Sequence, residues 1–309
     1  MLKTFRKFNR GRRPLLWFVA LAFCIPLQAQ SKEVTLKYNG LTLNANLEMV
    51  EGKGFEDGIV LILHGMMAHN RMEIIETSQQ ALLENDHSSL AITLSLGIDN
   101  RRGFVDCLLP QTHTIEDSMG EIDAWVQWLV KKGAGNIVLM AHSRGANQMM
   151  VYAVEYDHPA ASHVVLLAPN TTENGRKNYE GRYDVETFDE NLARATMLVE
   201  AGDGDTIMKQ IDFSFCPKSN VSAATFHSYN HYDDRFRRFQ LYLPKMPKPT
   251  LIIVGTEDEL QPNLPQKVGP YVDGVHVQLS KIESAGHFFR DFNIDEAVEN
   301  AVSFINETE

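Results

Sequence analysis

The sequence predicts an α/β fold with a doubly wound, mostly parallel sheet that carries an inserted cap. Three observations lead to this prediction. Short apolar runs, typical of strands buried on both faces, alternate with stretches of helical periodicity. The joints between them are short, as expected for right-handed crossovers between parallel strands. The alternation stops over residues 170–246 and then resumes, so an insertion of about seventy residues interrupts a single sheet domain.

The elements before the insertion follow from local pattern. The Asn39-Gly40 pair between two strand-like stretches, 33–38 and 41–50, predicts a tight hairpin. Continuous apolar runs predict buried strands, and amphipathic periodicity predicts the helices between them. The predicted strands are 58–63, 90–94, 136–140 and 162–167, and the predicted helices are 71–84, 116–132 and 143–156.

The insertion itself is polar and shows no clear strand of the earlier kind. A helix over 189–199 is the one element that its pattern suggests. Its length predicts a cap or lid rather than a simple loop. Strands at 250–254 and 276–279 and a helix at 291–306 complete the predicted domain, which extends over residues 30–309.

Residues 1–29 have the order of a secretory signal peptide: a basic stretch, an apolar run over 14–26 and a small residue, Ala29. The apolar run is shorter than the about 20 residues that span a bilayer. We therefore expect export to the periplasm or the medium. The alternative is that this segment remains as an N-terminal membrane anchor.

Charge and cysteine content narrow the function further. The chain has 40 acidic and 29 basic residues. Signal cleavage would remove basic but no acidic residues and so make the mature chain more acidic. Such an acidic chain repels phosphate backbones, so we expect a small-molecule substrate and no nucleic acid. The predicted mature chain keeps Cys107 and Cys216, which an exported compartment would allow to pair; two separate thiols are the alternative.

A candidate nucleophile lies where a predicted strand meets a helix. The segment Ala141-His142-Ser143-Arg144-Gly145 resembles the nucleophile elbow G-x-S-x-G, with Ala141 in place of the first glycine. Such an elbow needs small residues because the serine sits on a sharp, strained turn. A serine that merely caps the following helix is the alternative.

Three further motifs match in order, and with them the chain from about residue 58 to its C-terminus resembles the α/β-hydrolase superfamily. In that family His64-Gly65-Met66 would form the oxyanion turn, with the backbone N–H groups of Met66 and Arg144 as donors. Gly255-Thr-Glu-Asp258 would supply the acid, with Glu257 as its rival. Ala285-Gly286-His287 would supply the general base.

The resemblance implies a serine hydrolase with Ser143, His287 and Asp258 as its catalytic triad. A carboxylic ester is the expected substrate, and an amide or peptide is the alternative. A non-catalytic binding protein of the same fold is the alternative from another class. We expect no cofactor. We also expect no metal: His227 and His231 have the spacing of metal ligands, but the sequence indicates no third ligand.

Other residues near these motifs receive structural roles. We expect His64 to be a ring bonded to backbone, and His142 to be packed or bonded locally because it points away from the nucleophile on an alternating strand. We expect Arg144 to make a salt bridge, with contact to a substrate carboxylate as the alternative. His113 lies on a long loop that can wall the site.

Overall fold

The computed structural model describes residues 1–2, 31–172, 176–180, 182–231 and 235–308. Almost all of the predicted signal peptide therefore lies outside the described residues. Within the described ranges, no helix is both long and apolar enough to cross a membrane.

Ten strands and eight α-helices make up the described chain. The strands are β1 Lys32–Tyr38, β2 Leu41–Glu48, β3 Ile59–Leu63, β4 Ser89–Thr93, β5 Ile137–His142, β6 Ala161–Leu167, β7 Ile207–Phe213, β8 Cys216–Ser222, β9 Thr250–Gly255 and β10 Val277–Ile282. The helices are α1 Glu73–Glu84, α2 Asp117–Lys131, α3 Arg144–Tyr156, α4 Val185–Glu200, α5 Ala223–Asn230, α6 Phe239–Tyr242, α7 Leu264–Val268 and α8 Asn293–Glu307.

The central sheet has eight strands in the order β1-β2-β4-β3-β5-β6-β9-β10. The hairpin β1–β2 is antiparallel, and every pairing from β4 to β10 is parallel. This confirms the predicted doubly wound, mostly parallel sheet. Because parallel strands all end at the same edge, the loops after β3, β5, β9 and β10 meet there.

The burial of these strands explains why they could be predicted from the sequence. Every residue of β3, β4, β5 and β9 is buried, since helices cover both faces of the sheet. The helices present one apolar stripe to it; in α2, for example, Ile122, Trp125 and Leu129 are fully buried.

The segment between β6 and β9 contains more structure than its pattern suggests. It holds helix α4 and the antiparallel pair β7–β8, whereas no strand was predicted there. The prediction failed because the hairpin buries only part of each strand: Lys209 and Gln210 of β7 are exposed, and the register shifts twice. One-sided, irregular strands leave no continuous apolar run.

A disulfide ties this segment to the sheet domain. Cys107, on the loop after β4, is bonded to Cys216 of β8 with an S–S distance of 2.02 Å. The same loop also pairs with β8 through backbone: Gln111 N donates to Asn220 O, and Ser222 N donates to Gln111 O, both at 2.8 Å. Cys107 and Cys216 therefore form a disulfide and are not two separate thiols.

Loss of this bridge is expected to destabilise the protein by about 4 kcal/mol, because it closes a loop of 109 residues whose entropy the unfolded chain would regain. The paired variant Cys107→Ser/Cys216→Ser should show a lower urea midpoint than the oxidised parent. The parent in dithiothreitol should match the variant. Equal midpoints for all three would contradict the prediction.

Candidate active site

Ser143 sits between the end of β5 and the start of α3. Its backbone has φ 56° and ψ −127°, a conformation that non-glycine residues rarely adopt and that costs energy. Ser143 N donates to Leu167 O at 2.8 Å, which anchors the turn to β6. The chain therefore turns sharply enough to hold the hydroxyl above the sheet edge.

The small residues around Ser143 are required by close approach of the β3 loop. A Cβ on Gly145 would lie 2.1 Å from the carbonyl oxygen of His64, so no other residue fits there without displacing backbone. A Cβ on Gly65 would lie 3.3 Å from the Cβ of Ser143. Ala141 is fully buried, and its methyl group fits where the usual motif has glycine.

Three side chains form a continuous hydrogen-bonded chain at the sheet edge. Ser143 Oγ lies 2.9 Å from His287 Nε2, and His287 Nδ1 lies 2.8 Å from Asp258 Oδ2. The side chains of His287 and Asp258 are only 2% and 1% exposed. In the tautomer that satisfies both contacts, Nδ1–H donates to the carboxylate and Nε2 accepts from the serine hydroxyl.

The second oxygen of Asp258 is held by backbone. Oδ1 accepts from Leu260 N at 2.9 Å and from Gln261 N at 2.7 Å. Burial alone would raise the pKa of Asp258, but the hydrogen bond and charge of His287 together with these N–H donors outweigh it, so the pKa lies below its ordinary value. The carboxylate is therefore kept ionised beside the histidine.

The rival acid, Glu257, is placed differently. Its side chain is exposed, and among the described contacts it makes no hydrogen bond to His287. Glu259 Oε2 accepts a hydrogen bond from the backbone N of His287 at 3.2 Å. This second carboxylate therefore contacts the main chain of His287 and not its imidazole ring. The geometry puts Asp258, not Glu257, at the imidazole.

The predicted oxyanion donors lie on the two segments that flank Ser143. Met66 follows Gly65 in the turn that passes beside the nucleophile, and Arg144 is the first residue of α3. N–H groups in the first turn of a helix have no acceptor within the helix and carry the positive end of its dipole. The arrangement suits stabilisation of a negative oxygen next to Ser143 Oγ.

A buried network that the sequence did not suggest supports this turn. His64 Nδ1 donates to Gly65 O at 2.7 Å and its Nε2 accepts from Leu94 N at 3.1 Å, so it is the backbone-bonded ring that was expected. Burial lowers the pKa of His64 to about 3. Arg101, buried beneath, donates to Ala68 O and Leu94 O, both at 2.7 Å. No motif marked Arg101, because its partners lie on other loops.

His142 is packed as expected, and it also bonds a part of the chain that is distant in sequence. Its Nε2 lies 2.9 Å from the carbonyl oxygen of His287, and the two rings are 4.9 Å apart. Burial, and then the positive charge that His287 can carry, lower its pKa to about 3. A neutral His142 whose Nε2–H donates to that carbonyl fixes the main chain of the base, 145 residues away in sequence.

A cavity of about 690 Å³ opens beside Ser143. That volume is within the range of small-molecule sites. One part of its lining is apolar and comes from the sheet domain. These residues are Met66, Met72, Ile74, Ile75, Phe104 and Phe288.

The segment between β6 and β9 supplies a more polar part of the lining, including Tyr179, Tyr229 and Asn230. His113 Nε2 lies 3.0 Å from Tyr229 Oη, so the loop before α2 supports this wall from behind. Arg144 Nη1 donates to Phe236 O at 3.2 Å, and the salt bridge expected for Arg144 stays a prediction.

The described residues contain no group of three or more His, Cys, Asp or Glu that could hold a metal. His227 and His231 stack on each other with ring centres 4.8 Å apart. The neighbouring Asp233 and Asp234 lie outside the described residues.

Comparison with known proteins gives a clear structural likeness and no sequence match. No protein-family model and no curated protein matches the chain. Est1E from Butyrivibrio proteoclasticus with bound ferulic acid is similar at a TM-score of 0.64 and 19% identity, over 89% of this chain and 98% of that one. A monoacylglycerol lipase from Paleococcus ferrophilus is similar at 0.57 and 16%, over 86% and 99%. The α/β hydrolase GrgF from a Penicillium species is similar at 0.61 and 13%, over 90% and 99%.

Proposed function

The chain has the α/β-hydrolase fold, and we propose that it is a serine hydrolase that cleaves a carboxylic ester through an acyl-enzyme intermediate. The observation that carries the proposal is the hydrogen-bonded chain from Ser143 through His287 to Asp258, next to a cavity of substrate size. A binding protein of this fold would not need a nucleophile, a base and an orienting acid in register.

In the first half-reaction His287 Nε2 takes the proton of Ser143 Oγ as that oxygen attacks the ester carbonyl. The N–H groups of Met66 and Arg144 hold the resulting oxyanion. Asp258 stabilises the imidazolium and keeps its orientation. When the C–O bond breaks, His287 gives its proton to the leaving alcohol, and the acyl group remains on Ser143.

In the second half-reaction water attacks the acyl-enzyme while His287 accepts its proton. Collapse of the tetrahedral intermediate returns that proton to Ser143 Oγ and releases the carboxylic acid. Each proton removed is thus returned by the same ring, so the enzyme ends as it began. His142 and the Arg101 network keep the base and the oxyanion turn in place throughout.

We assign to residues 170–246 the role of a cap that shapes the substrate pocket. Its Tyr179, Phe213 and Tyr229 line the cavity together with residues of the sheet domain. The similar structures include an esterase with bound ferulic acid and a lipase, which supports an ester as substrate. Export is proposed on the N-terminal pattern, and the Cys107–Cys216 disulfide agrees with an oxidising compartment.

The proposal is tested with a fluorophosphonate probe and a panel of p-nitrophenyl esters on the purified mature protein. The parent is expected to be labelled and to release p-nitrophenol, and Ser143→Ala to lose labelling and at least about 10⁴-fold in kcat. Ser303→Ala, an exposed serine on α8, is the matched control and should behave as the parent. Labelling that persists in Ser143→Ala would overturn the nucleophile assignment, and labelling without turnover of any ester would favour an amide substrate.

A further inference from the structure

The described lining of the cavity beside Ser143 has a charge balance opposite to that of the whole chain. The chain has 40 acidic and 29 basic residues. Among the described residues of the lining, the charged side chains are mostly basic: Arg144, Lys177, Arg182, Arg237 and Lys267, with Glu180 acidic. A cleft lined by one sign of charge concentrates ligands of the opposite sign.

Lys267 of α7 is held in place by a polar network. Its Nζ donates to Thr171 Oγ1 at 3.1 Å, and both residues line the cavity. Thr171 is fixed in turn by Gln261, whose Oε1 accepts from Thr171 N at 2.8 Å and from Thr171 Oγ1 at 3.1 Å. In the part of the chain that the structure describes, no carboxylate lies within 4 Å of this ammonium.

That network begins at the triad acid. Gln261 N donates to Asp258 Oδ1 at 2.7 Å, and Gln261 is 7% exposed. The ammonium group of Lys267 is therefore positioned through a short series of hydrogen bonds from the same loop that holds the catalytic carboxylate. A group bound at Lys267 would be held in a defined relation to the reacting serine.

Arg182 supplies a second cation, from the inserted segment. Its guanidinium lies over the Phe215 ring at 5.2 Å and its Nη1 lies 3.4 Å from Ser214 O. Among the described residues, no carboxylate lies within 4 Å of it either. Stacking on an aromatic face leaves the edge of a guanidinium open for a carboxylate, which it binds in a fork geometry.

Two further arginines lie in the wall of the cavity. Arg144 and Arg237 are buried and donate to backbone carbonyls, Phe236 O at 3.2 Å and Tyr229 O at 3.0 Å. These hydrogen bonds help to hold both guanidinium groups in the cavity wall.

We propose that the substrate is an ester that carries a carboxylate away from the scissile bond, bound by Lys267 and Arg182. This inference rests on the proposed hydrolase function and gives it a substrate class. The hydrocarbon between the ester and the carboxylate contacts the apolar lining, where Met72, Ile75 and Phe288 lie. Half-esters of dicarboxylic acids and esters of carboxylate-bearing alcohols have this chemistry.

The test compares esters that differ only in this charge. The first pair is mono-p-nitrophenyl adipate and its methyl-capped analogue, with the charge on the acyl side. The second pair is the butyrate ester of 3-hydroxybenzoic acid and that of 3-hydroxybenzamide, with the charge on the alcohol side. In at least one pair, kcat/KM for the anionic ester should exceed that for the neutral one by about tenfold at low salt. The ratio should shrink in 0.5 M NaCl.

Substitutions then locate the preference. Lys267→Gln and Arg182→Gln should each lower the anionic-to-neutral ratio by about threefold. Lys281→Gln is the matched control, because this exposed lysine of β10 lies outside the cavity lining, and its ratio should equal that of the parent. Melting temperatures near that of the parent establish that the variants are folded.

A second readout does not depend on turnover. Adipate should slow fluorophosphonate labelling of Ser143, and adipamide of the same length should not. Equal protection together with equal or better hydrolysis of the neutral ester in both pairs would overturn this inference and leave the hydrolase proposal standing. Absence of labelling together with absence of turnover of all four esters would overturn the hydrolase proposal itself.

Discussion

Replacement of Asp258 by asparagine is expected to lower kcat by about 10⁴-fold. The two backbone donors, Leu260 N and Gln261 N, hold an oxygen at the Oδ1 position. An asparagine would keep its carbonyl oxygen there and turn its NH₂ toward His287. The ring would then present Nδ1 as an acceptor and carry its proton on Nε2, so it could no longer accept the proton of Ser143.

The matched control is Glu257→Gln, which removes the neighbouring carboxylate while keeping the loop. Because Glu257 is exposed and makes no described hydrogen bond to His287, kcat should stay within about twofold of the parent. Both variants are assayed for p-nitrophenyl ester turnover, with circular dichroism to check folding. A large loss in Glu257→Gln with a small loss in Asp258→Asn would exchange the two assignments.

The sheet and the triad could be read from sequence because both depend on short segments. Strands such as β3 and β9 are buried on both faces and appear as continuous apolar runs. Ser143 directly follows β5, and Asp258 and His287 lie on the short loops after β9 and β10. The carboxyl ends of parallel strands share one edge, so the order of motifs along the chain already places these side chains near one another.

The residues that support the triad and the oxyanion turn could not be predicted from the sequence in this way. His142 acts on His287, and Arg101 acts on Ala68, through contacts that exist only once distant loops have packed. A lone histidine or arginine carries no spacing signal for such a partner. The hairpin β7–β8 was missed for a related reason, since its pairing with Gln111 and its disulfide join segments that are distant in sequence and its buried residues form no continuous apolar run.

The basic residues that line the cavity could also not be predicted from the sequence. Lys177 and Arg182 lie in one polar stretch of the inserted segment and Lys267 lies on α7, and the sequence of each is typical of solvated surface. Only the fold brings them to one cavity and makes their shared sign visible. The overall acidic composition of the chain gives no indication of an anionic ligand. This substrate class can therefore be inferred only from the folded structure.

Acidification from pH 7.5 to pH 5 is expected to lower the free energy of unfolding by about 6 kcal/mol, a large part of the total stability of a typical domain. Burial lowers the pKa of His64, His113 and His142 to about 3. In the unfolded chain each has its ordinary pKa of about 6.5. Between these values the unfolded chain binds protons that the folded chain does not. Stability is therefore full above pH 6.5 and falls as the pH drops, by about 2 kcal/mol per ring at pH 5.

Urea unfolding at the two pH values measures this difference, and His113→Gln identifies its origin. The variant removes one buried ring while keeping a polar group that can reach Tyr229 Oη, which His113 contacts at 3.0 Å. It should lower stability at pH 7.5 but shrink the difference between pH 7.5 and pH 5 by about 2 kcal/mol. His158→Gln, at a partly exposed ring beyond the end of α3, should leave the difference unchanged. If His113→Gln kept the full difference, burial of His113 in its neutral form would not be a source of the acid sensitivity.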